Sequence, residues 1–570
     1  MSLLESHFRP ASRVLNLSHL IYVPTSTERC LCRHTQAISR HRSTVALEEP
    51  YRHTTGQWLY NNIQQHAIRY SPFDVEALKE VACHSAEAKH CTSFTKIGEG
   101  SYNKVFLLEL DNGVKATARI PGPVVGNLEL SIASEAATLT YLRDGEIATV
   151  PRVLAWNASE ANPVKWPYII TEYFPGIPLQ SIWAKIRGDQ TRHAVTIIMV
   201  NNLMTSRSAF SQIGSLYFKK DVSPELQARP LFENPEDNVD DDDHVSQKYR
   251  IGPIVDRQWW RGARRHVDAD RGPWPDTKSY IIAAALLEQQ CISQGIDLDS
   301  SYVRSRQEDV PEIQNLLDRC IAAAPYLVPT DPELRKPTIL HPDLSGSNII
   351  VAGEDDIKNR VIIDWQGTIV APFFMECMIP PVITYRHGVI PIPDDGSCPE
   401  LPSNIDSLPA DEQECLRIHY SLAGKQWVFV KHMSRIDPKF GLAWSLPHWH
   451  IMCELIQHIC RCWANGPVEL RQDLIGLEDC WSEFSSSPCP FHFTMEERAR
   501  HDVEYAAHIR YASEVNSLMT FLGCADDGWV ANDRLDEARR RMEEVKQAWD
   551  AGDAKGPFPF QDGAHCYFLT

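Results

Sequence analysis

One segment constrains this chain more than any other. It is HPDLSGSNIIV, His341 to Val351, followed after a polar stretch by VIIDWQG, Val361 to Gly367. NIIV and VIID are short apolar runs of strand type, Asn348–Val351 and Val361–Asp364, and AGEDDIKNR between them is a polar connection. Paired as an antiparallel hairpin, the chain leaves at Asn348 and returns at Asp364, so both side chains sit at the same open end. Asp343 lies just before the first strand. Three oxygen-bearing side chains therefore converge without any long-range contact. A carboxylate and a carboxamide oxygen suit a hard cation such as Mg²⁺, which fills its remaining positions with water and substrate phosphates. A second carboxylate beside them is placed to orient or deprotonate a hydroxyl. This is equipment for phosphoryl transfer, where catalysis is mainly positioning and charge neutralisation.

The spacing resembles a protein-kinase catalytic loop, H-R-D-L-x-x-x-N with a later metal-binding Asp. Here it runs His341, Pro342, Asp343, Leu344, Asn348 and then Asp364. It is similar above all to the aminoglycoside phosphotransferase/choline kinase branch, which lacks the lysine two residues after the catalytic Asp; Ser345 stands there. The resemblance implies an α+β, protein-kinase-like bilobal fold, with a small β-rich N-lobe and a large, mainly helical C-lobe carrying insertions. It implies ATP and Mg²⁺ as cofactors, Asp343 as catalytic base, and Asn348 and Asp364 as metal ligands.

The rest of a kinase should lie upstream. GEGSYNKV, Gly98 to Val105, fits G-x-G-x-x-G-x-V with Asn103 in the place of the third glycine. Gly98, Gly100, Ser101 and Asn103 are candidates to cover the phosphates, because glycine lets backbone approach a ligand closely. DNG, Asp111 to Gly113, is a hairpin turn between the runs KVFLLEL and VKATARI. Arg119, in the second run, lies where a kinase places its phosphate-pairing lysine. Lys115 and Thr117 share its strand face by the period-two rule, which makes Lys115 a second candidate cation. Glu135, in the helical pattern SEAATLTYL, is the expected ion-pair partner of Arg119. IITEYFPG resembles the hinge that takes adenine through backbone groups near Glu172 and Tyr173, and KWPYIITEYF has the look of an edge strand.

The ends and insertions are less specific. The first 44 residues hold six arginines, no lysine and two acids, with many Ser and Thr, which is the pattern of a mitochondrial transit peptide. Residues 45–90 show helical spacing and are expected to form an N-terminal helical extension, 91–175 the N-lobe and 176–570 the C-lobe. Residues 224–250, with the run Asp240–Asp243, are expected to be a solvated acidic loop. A net charge of -19 argues against nucleic acid as a partner. No apolar run is long enough for a transmembrane segment. The 16 cysteines form no paired CxxC clusters, and CELIQHICRCW is a helix with buried thiols, a zinc site near His458 being the alternative. The terminal stripe Leu535, Ala538, Met542, Val545 and Trp549 predicts a helix packed on the core.

YRHTTGQWLYNN, EGSYNKVFLLELDNG, ARIPGPVVG, GSLYFKKD and GPIVDRQWWRGARR resemble the fungal altered inheritance of mitochondria protein 9 family from about Tyr51 to Trp549. That implies a mitochondrial, phosphotransferase-like protein. The expected activity is transfer of the ATP γ-phosphoryl group to a hydroxyl of a small molecule or lipid, the partners being the nucleotide and an acceptor that the sequence does not identify. The alternative is a weak or inactive pseudokinase serving as a nucleotide-binding scaffold or assembly factor. Trp259, Trp260, Arg261, Arg264 and Arg265 are candidates to hold the acceptor, with interhelical packing as the plainer explanation.

Overall fold

The structure, a computed structural model, describes residues 50–233, 243–296, 307–393, 396–446, 448–549 and 558–562. Five strands form one antiparallel sheet: β1 (Cys91–Glu99), β2 (Asn103–Leu110), β3 (Lys115–Pro121), β4 (Val153–Asn157) and β5 (Tyr168–Glu172). Their order is β1-β2-β3-β5-β4, with the helix Leu128–Asp144 inserted after β3. The DNG turn closes β2 onto β3, with Gly113 at φ 84°. Burial alternates along β2, so that Phe106, Leu108 and Leu110 face one way, with Ala116, Ala118, Ile120 and Ile170 beside them. That face needs a cover. The helix Val75–Ser85 supplies it through Leu78, Ala82 and Cys83, and Asp74 caps its start by accepting the Ala77 N–H at 3.1 Å. The opposite face carries Thr117 and Arg119 towards the helix Leu128–Asp144 and the cleft.

The second lobe is built on one large core. The helices Gly188–Thr205, Thr277–Ser293, Val310–Ala323, Ala410–Ile436, Trp449–Asn465 and Val468–Asp479 contribute to it. On its cleft side lies the hairpin β7 (Ile349–Gly353) and β8 (Asp356–Ile362), extended by the short strand β6 (Ile177–Pro178). A five-stranded antiparallel sheet with one helix after its third strand, followed by a helical body with a hairpin on the cleft, is the bilobal α+β arrangement of protein kinases.

Several details differ from expectation. β5 is not an edge strand. β4 lies outside it and carries no alternating pattern to announce itself. GQWLYNN is not wholly helical: Gly56–Trp58 is a strand because its partner, Trp529–Ala531, arrives from the far end of the chain. The stretch around the acidic run is not simply a loop. Leu231 and Phe232 are buried, and Asp243–Lys248 is a short helix leading into Tyr249–Gly252, which pairs with Ser215–Phe218. Residues 240–242 of the run lie outside the described residues, as does all of 1–44.

The terminal helix Leu535–Ala548 uses its stripe as core, Met542, Val545 and Trp549 packing near Tyr60 and Phe558. Cys460 and Cys462 are buried thiols pushed up by desolvation, Cys460 to about 11. Among the described residues no group of three or more His, Cys, Asp or Glu is arranged to hold a metal ion, and no helix is long and apolar enough to cross a membrane.

Candidate active site

The hairpin sets the site. Ile349 pairs with Ile362, and the Ile363 N–H donates to the Asn348 carbonyl at 2.9 Å, so Asn348 and Asp364 share the open end. Strand pairing itself stops short of both polar residues, one position inside the expected bound at Asn348 and two inside it at Asp364. Asn348 Nδ2 donates to the Asp343 carbonyl at 2.9 Å and to its carboxylate at 3.1 Å. That orients the carboxamide so that its oxygen points away from Asp343. Ser345 Oγ donates to the same carboxylate at 3.3 Å and is 2.8 Å from Ser347 Oγ.

Desolvation in the cleft raises the Asp343 pKa. The Ser345 bond opposes this, the negative charge of Asp364 adds to it, and the Asn348 bond opposes it again. His341 holds the loop from below. Its Nδ1 accepts the Asp343 N–H at 3.1 Å and its Nε2 lies 3.0 Å from the Ile363 carbonyl, so Nε2 carries the proton. Burial lowers its pKa to about 4, which keeps it neutral. Its ring meets the buried Trp365 edge-on at 4.4 Å.

Asp364 adopts the left-handed region, φ 64°, where Asp is tolerated better than most residues. Its carboxylate accepts Arg119 Nη1 at 2.8 Å, and the same guanidinium pairs with the buried Glu135. Arg119 thus joins the N-lobe helix to the hairpin end across the cleft. Lys115 is not a second cation there. It lies at the far end of β3 and pairs with Glu109 at 2.5 Å on the surface.

Gly98 pairs with Val105 and Glu99 with Lys104, and the Gly100 N–H donates to the Asn103 carbonyl at 3.0 Å, so the loop is a tight hairpin turn with Ser101 exposed near its tip. Gly100 is outside the left-handed region, and a Cβ there would meet no protein atom within 4 Å. The protein's own packing does not demand glycine at this point. Asn103 Nδ2 reaches across the cleft to Gln366 Oε1 at 2.7 Å, and Gln366 Nε2 donates to Ser131 Oγ at 3.1 Å. At the hinge, the Glu172 N–H is taken by the Arg152 carbonyl at 2.9 Å and the Tyr173 N–H by the Lys115 carbonyl at 3.1 Å. The Glu172 carboxylate accepts Arg143 at 2.9 Å.

The structure therefore gathers Asp343, Asn348, Asp364, Arg119 and Glu135 around one cleft, with Gly100 to Asn103 bridged to it. Sequence reasoning missed Gln366 and Gly346. A Cβ at Gly346 would run into the backbone of Gln180, whose N–H donates to the Gly346 carbonyl at 2.9 Å. Neither contact has a local sequence signal, since each partner is more than 150 residues away. Most of the QWWRGARR segment is structural instead, Arg265 alone of the five candidates being exposed. Trp259 and Arg264 are fully buried, Arg264 pairs with Glu288, and Arg261 and Arg264 both donate to the Cys460 carbonyl.

No family model matches the chain. A subtelomeric hrmA-associated cluster protein of Aspergillus fumigatus is 27% identical over 500 residues, covering 80% of this chain and 94% of that protein. The altered inheritance of mitochondria protein 9 of Yarrowia lipolytica is 24% identical over 521 residues, covering 85% of each. The chain resembles the altered inheritance of mitochondria protein 9 group along most of its length. The Saccharomyces cerevisiae relative of that name is 22% identical over 575 residues, covering 87% of this chain and 88% of its own. These relatives are named as mitochondrial, in agreement with the location expected from the arginine-rich start.

Among solved structures, the aminoglycoside phosphotransferase APH(4)-Ia, in a ternary complex with AMP-PNP and hygromycin B, covers 72% of this chain and 99% of its own at 10% identity and TM-score 0.36. A fructosamine-3-kinase-like protein from Thermobifida fusca covers 70% and 98% at 13% identity and TM-score 0.32. Likenesses this low add nothing to the topology described above.

Proposed function

We propose that this protein is an ATP-dependent phosphotransferase of the aminoglycoside phosphotransferase type, acting in mitochondria on a hydroxyl of a small molecule or lipid. One observation carries the reading: Asp343, Asn348 and Asp364 meet at one hairpin end, opposite an arginine that Glu135 fixes. The donor set fits Mg²⁺, with the Asp364 carboxylate and the Asn348 carboxamide oxygen as its protein ligands. When bound, the ion would neutralise charge on the phosphates. Asp343 orients the acceptor hydroxyl and takes its proton. Arg119 steadies the α- and β-phosphates. Gly98, Gly100, Ser101 and Asn103 cover them, the open space at Gly100 giving backbone room to approach. With the Glu172 and Tyr173 N–H groups spent in the sheet, adenine is read by the carbonyl groups there and by the backbone just beyond.

The scaffold reading draws support from the Asn103–Gln366 bridge and the Arg119–Asp364 pair, which hold the loop and a metal ligand to partners within the protein.

Nucleotide binding is common to both readings and is tested first; turnover separates them. AMP-PNP is expected to raise the melting temperature when Mg²⁺ is present, and EDTA or Asp364→Ala to cancel the rise. At 100 times Kd the gain corresponds to about 2.7 kcal/mol. No shift at any nucleotide concentration would exclude both enzyme and nucleotide-binding scaffold.

The raised pKa of Asp343 gives a second expectation. The base works ionised, so kcat/KM should fall as pH drops through its pKa. That acid limb should lie above the ordinary aspartate value of 3.8. A profile flat down to pH values near that ordinary figure would remove Asp343 from the role.

A further inference from the structure

The glycine-rich loop stands on a platform made from both ends of the described chain. Glu99 lies between Gly98 and Gly100, yet its carboxylate points away from the cleft, with a side chain only 1% exposed. It accepts the Thr54 N–H at 2.6 Å, the Thr55 N–H at 3.1 Å and Lys96 Nζ at 2.8 Å. Lys104, its partner across the hairpin, is buried as well and donates to the Arg69 carbonyl and, at 3.4 Å, to Ser71 Oγ. Both stems of the loop are therefore anchored on the segment 53–71. At the tip, the Tyr102 carbonyl accepts the Gly122 N–H at 2.7 Å.

That segment is held in turn by the distant C-terminal region. Gly56–Trp58 pairs with Trp529–Ala531. Trp529 Nε1 donates to His53 Nε2 at 2.9 Å, and Asn532 Nδ2 to the Thr54 carbonyl at 2.7 Å. Asp527 accepts both Trp58 Nε1 at 2.9 Å and Arg69 Nη2 at 3.0 Å. The fit is close: a Cβ on Gly56 would lie 2.3 Å from the Val530 carbonyl.

We infer that Glu99 is a positioning residue for nucleotide binding, strapping the glycine-rich loop to this two-ended platform. Nucleotide affinity then depends on the strand pair that joins the ends. The inference rests on the phosphotransferase reading. It gives Glu99 no contact with the nucleotide; the residue acts by holding the turn whose backbone covers the phosphates. A buried, charge-accepting anchor restricts the loop before the ligand arrives, so less ordering remains to be done on binding.

The test uses the full chain, a fluorescent N-methylanthraniloyl-ADP with Mg²⁺, and amide hydrogen exchange over residues 98–104. Glu99→Ala at the loop and Gly56→Ala at the remote strand pair should each weaken binding by about tenfold, within the range of ordinary site-to-site coupling, and speed exchange in the loop. Glu99→Gln keeps the shape and an acceptor oxygen. It should recover part of the affinity, and it keeps the test open if either alanine variant does not fold. Glu109→Ala, on the same sheet but paired with Lys115 at the surface, is the control and should match wild type. Faster loop exchange with affinity within about twofold of wild type would make the contacts merely structural and overturn the inference. If wild type binds and both alanine variants bind as tightly, the strap fails alone. If wild type binds no nucleotide, the phosphotransferase reading fails and takes the strap's role with it.

Discussion

Asp343→Asn should cut Mg²⁺-dependent ATP turnover by about a thousandfold while leaving nucleotide affinity close to wild type; a general base contributes about 10²–10⁴. A thousandfold corresponds to about 4 kcal/mol of transition-state stabilisation. The exchange is nearly isosteric. The Asn348 bond to the backbone carbonyl of residue 343 survives it, so the hairpin end and the metal ligands keep their places. What disappears is the Asp343 carboxylate, which forms no ion pair among the described residues, whereas Asp364 and Glu135 are both engaged by Arg119. Steady-state turnover measured beside nucleotide affinity distinguishes a lost base from a disturbed pocket. Turnover unchanged in the variant would sink Asp343 as the base. Nucleotide binding without turnover in the wild type would leave the scaffold reading standing.

The largest stability effect should come from outside the cleft. Arg264 and Glu288 are both fully buried and paired, and Arg264 also donates to the Gln258 carbonyl at 3.1 Å and the Cys460 carbonyl at 2.7 Å. Glu288→Ala leaves a guanidinium in the core with no counter-charge, at a cost of about 3–5 kcal/mol. The double change Arg264→Met, Glu288→Leu removes both charges and should restore much of that loss, because replacing a buried pair by apolar groups of similar size is often neutral. Urea midpoints of the two variants decide it. A single variant within about 1 kcal/mol of wild type would show that the pair lacks the burial seen here. The same contacts explain why Arg261 and Arg264 of QWWRGARR, so suggestive of an anionic ligand, are packing: both hold the helix Trp449–Asn465 through the Cys460 carbonyl.

The catalytic hairpin was legible because its information is local. Two apolar runs, a polar connection and three oxygen donors within 22 residues fix their own geometry once the strands pair, and period-two alternation does the rest. The β2–β3 hairpin announced itself through DNG for the same reason. Arg119 and Glu135 were found through the kinase resemblance, which implies a phosphate-pairing cation and an acidic partner at those positions; strand periodicity by itself offered Lys115 equally, and that residue pairs with Glu109 at the surface. β4 was not found, since its five residues carry no alternation, and neither was the Gly56–Trp58 strand, whose partner lies more than 470 residues away.

Sequence alone determined that Asp343, Asn348 and Asp364 would share one hairpin end, because neighbours in the chain remain neighbours in space. Tertiary structure alone decided that Gln366 would hold Asn103, that Arg119 would bridge Glu135 to Asp364 while Lys115 faced solvent, and that segments 53–71 and 527–532 would meet beneath the glycine-rich loop. Those contacts form only after distant segments have packed, and no local pattern encodes which buried hydrogen-bonding group will find which partner.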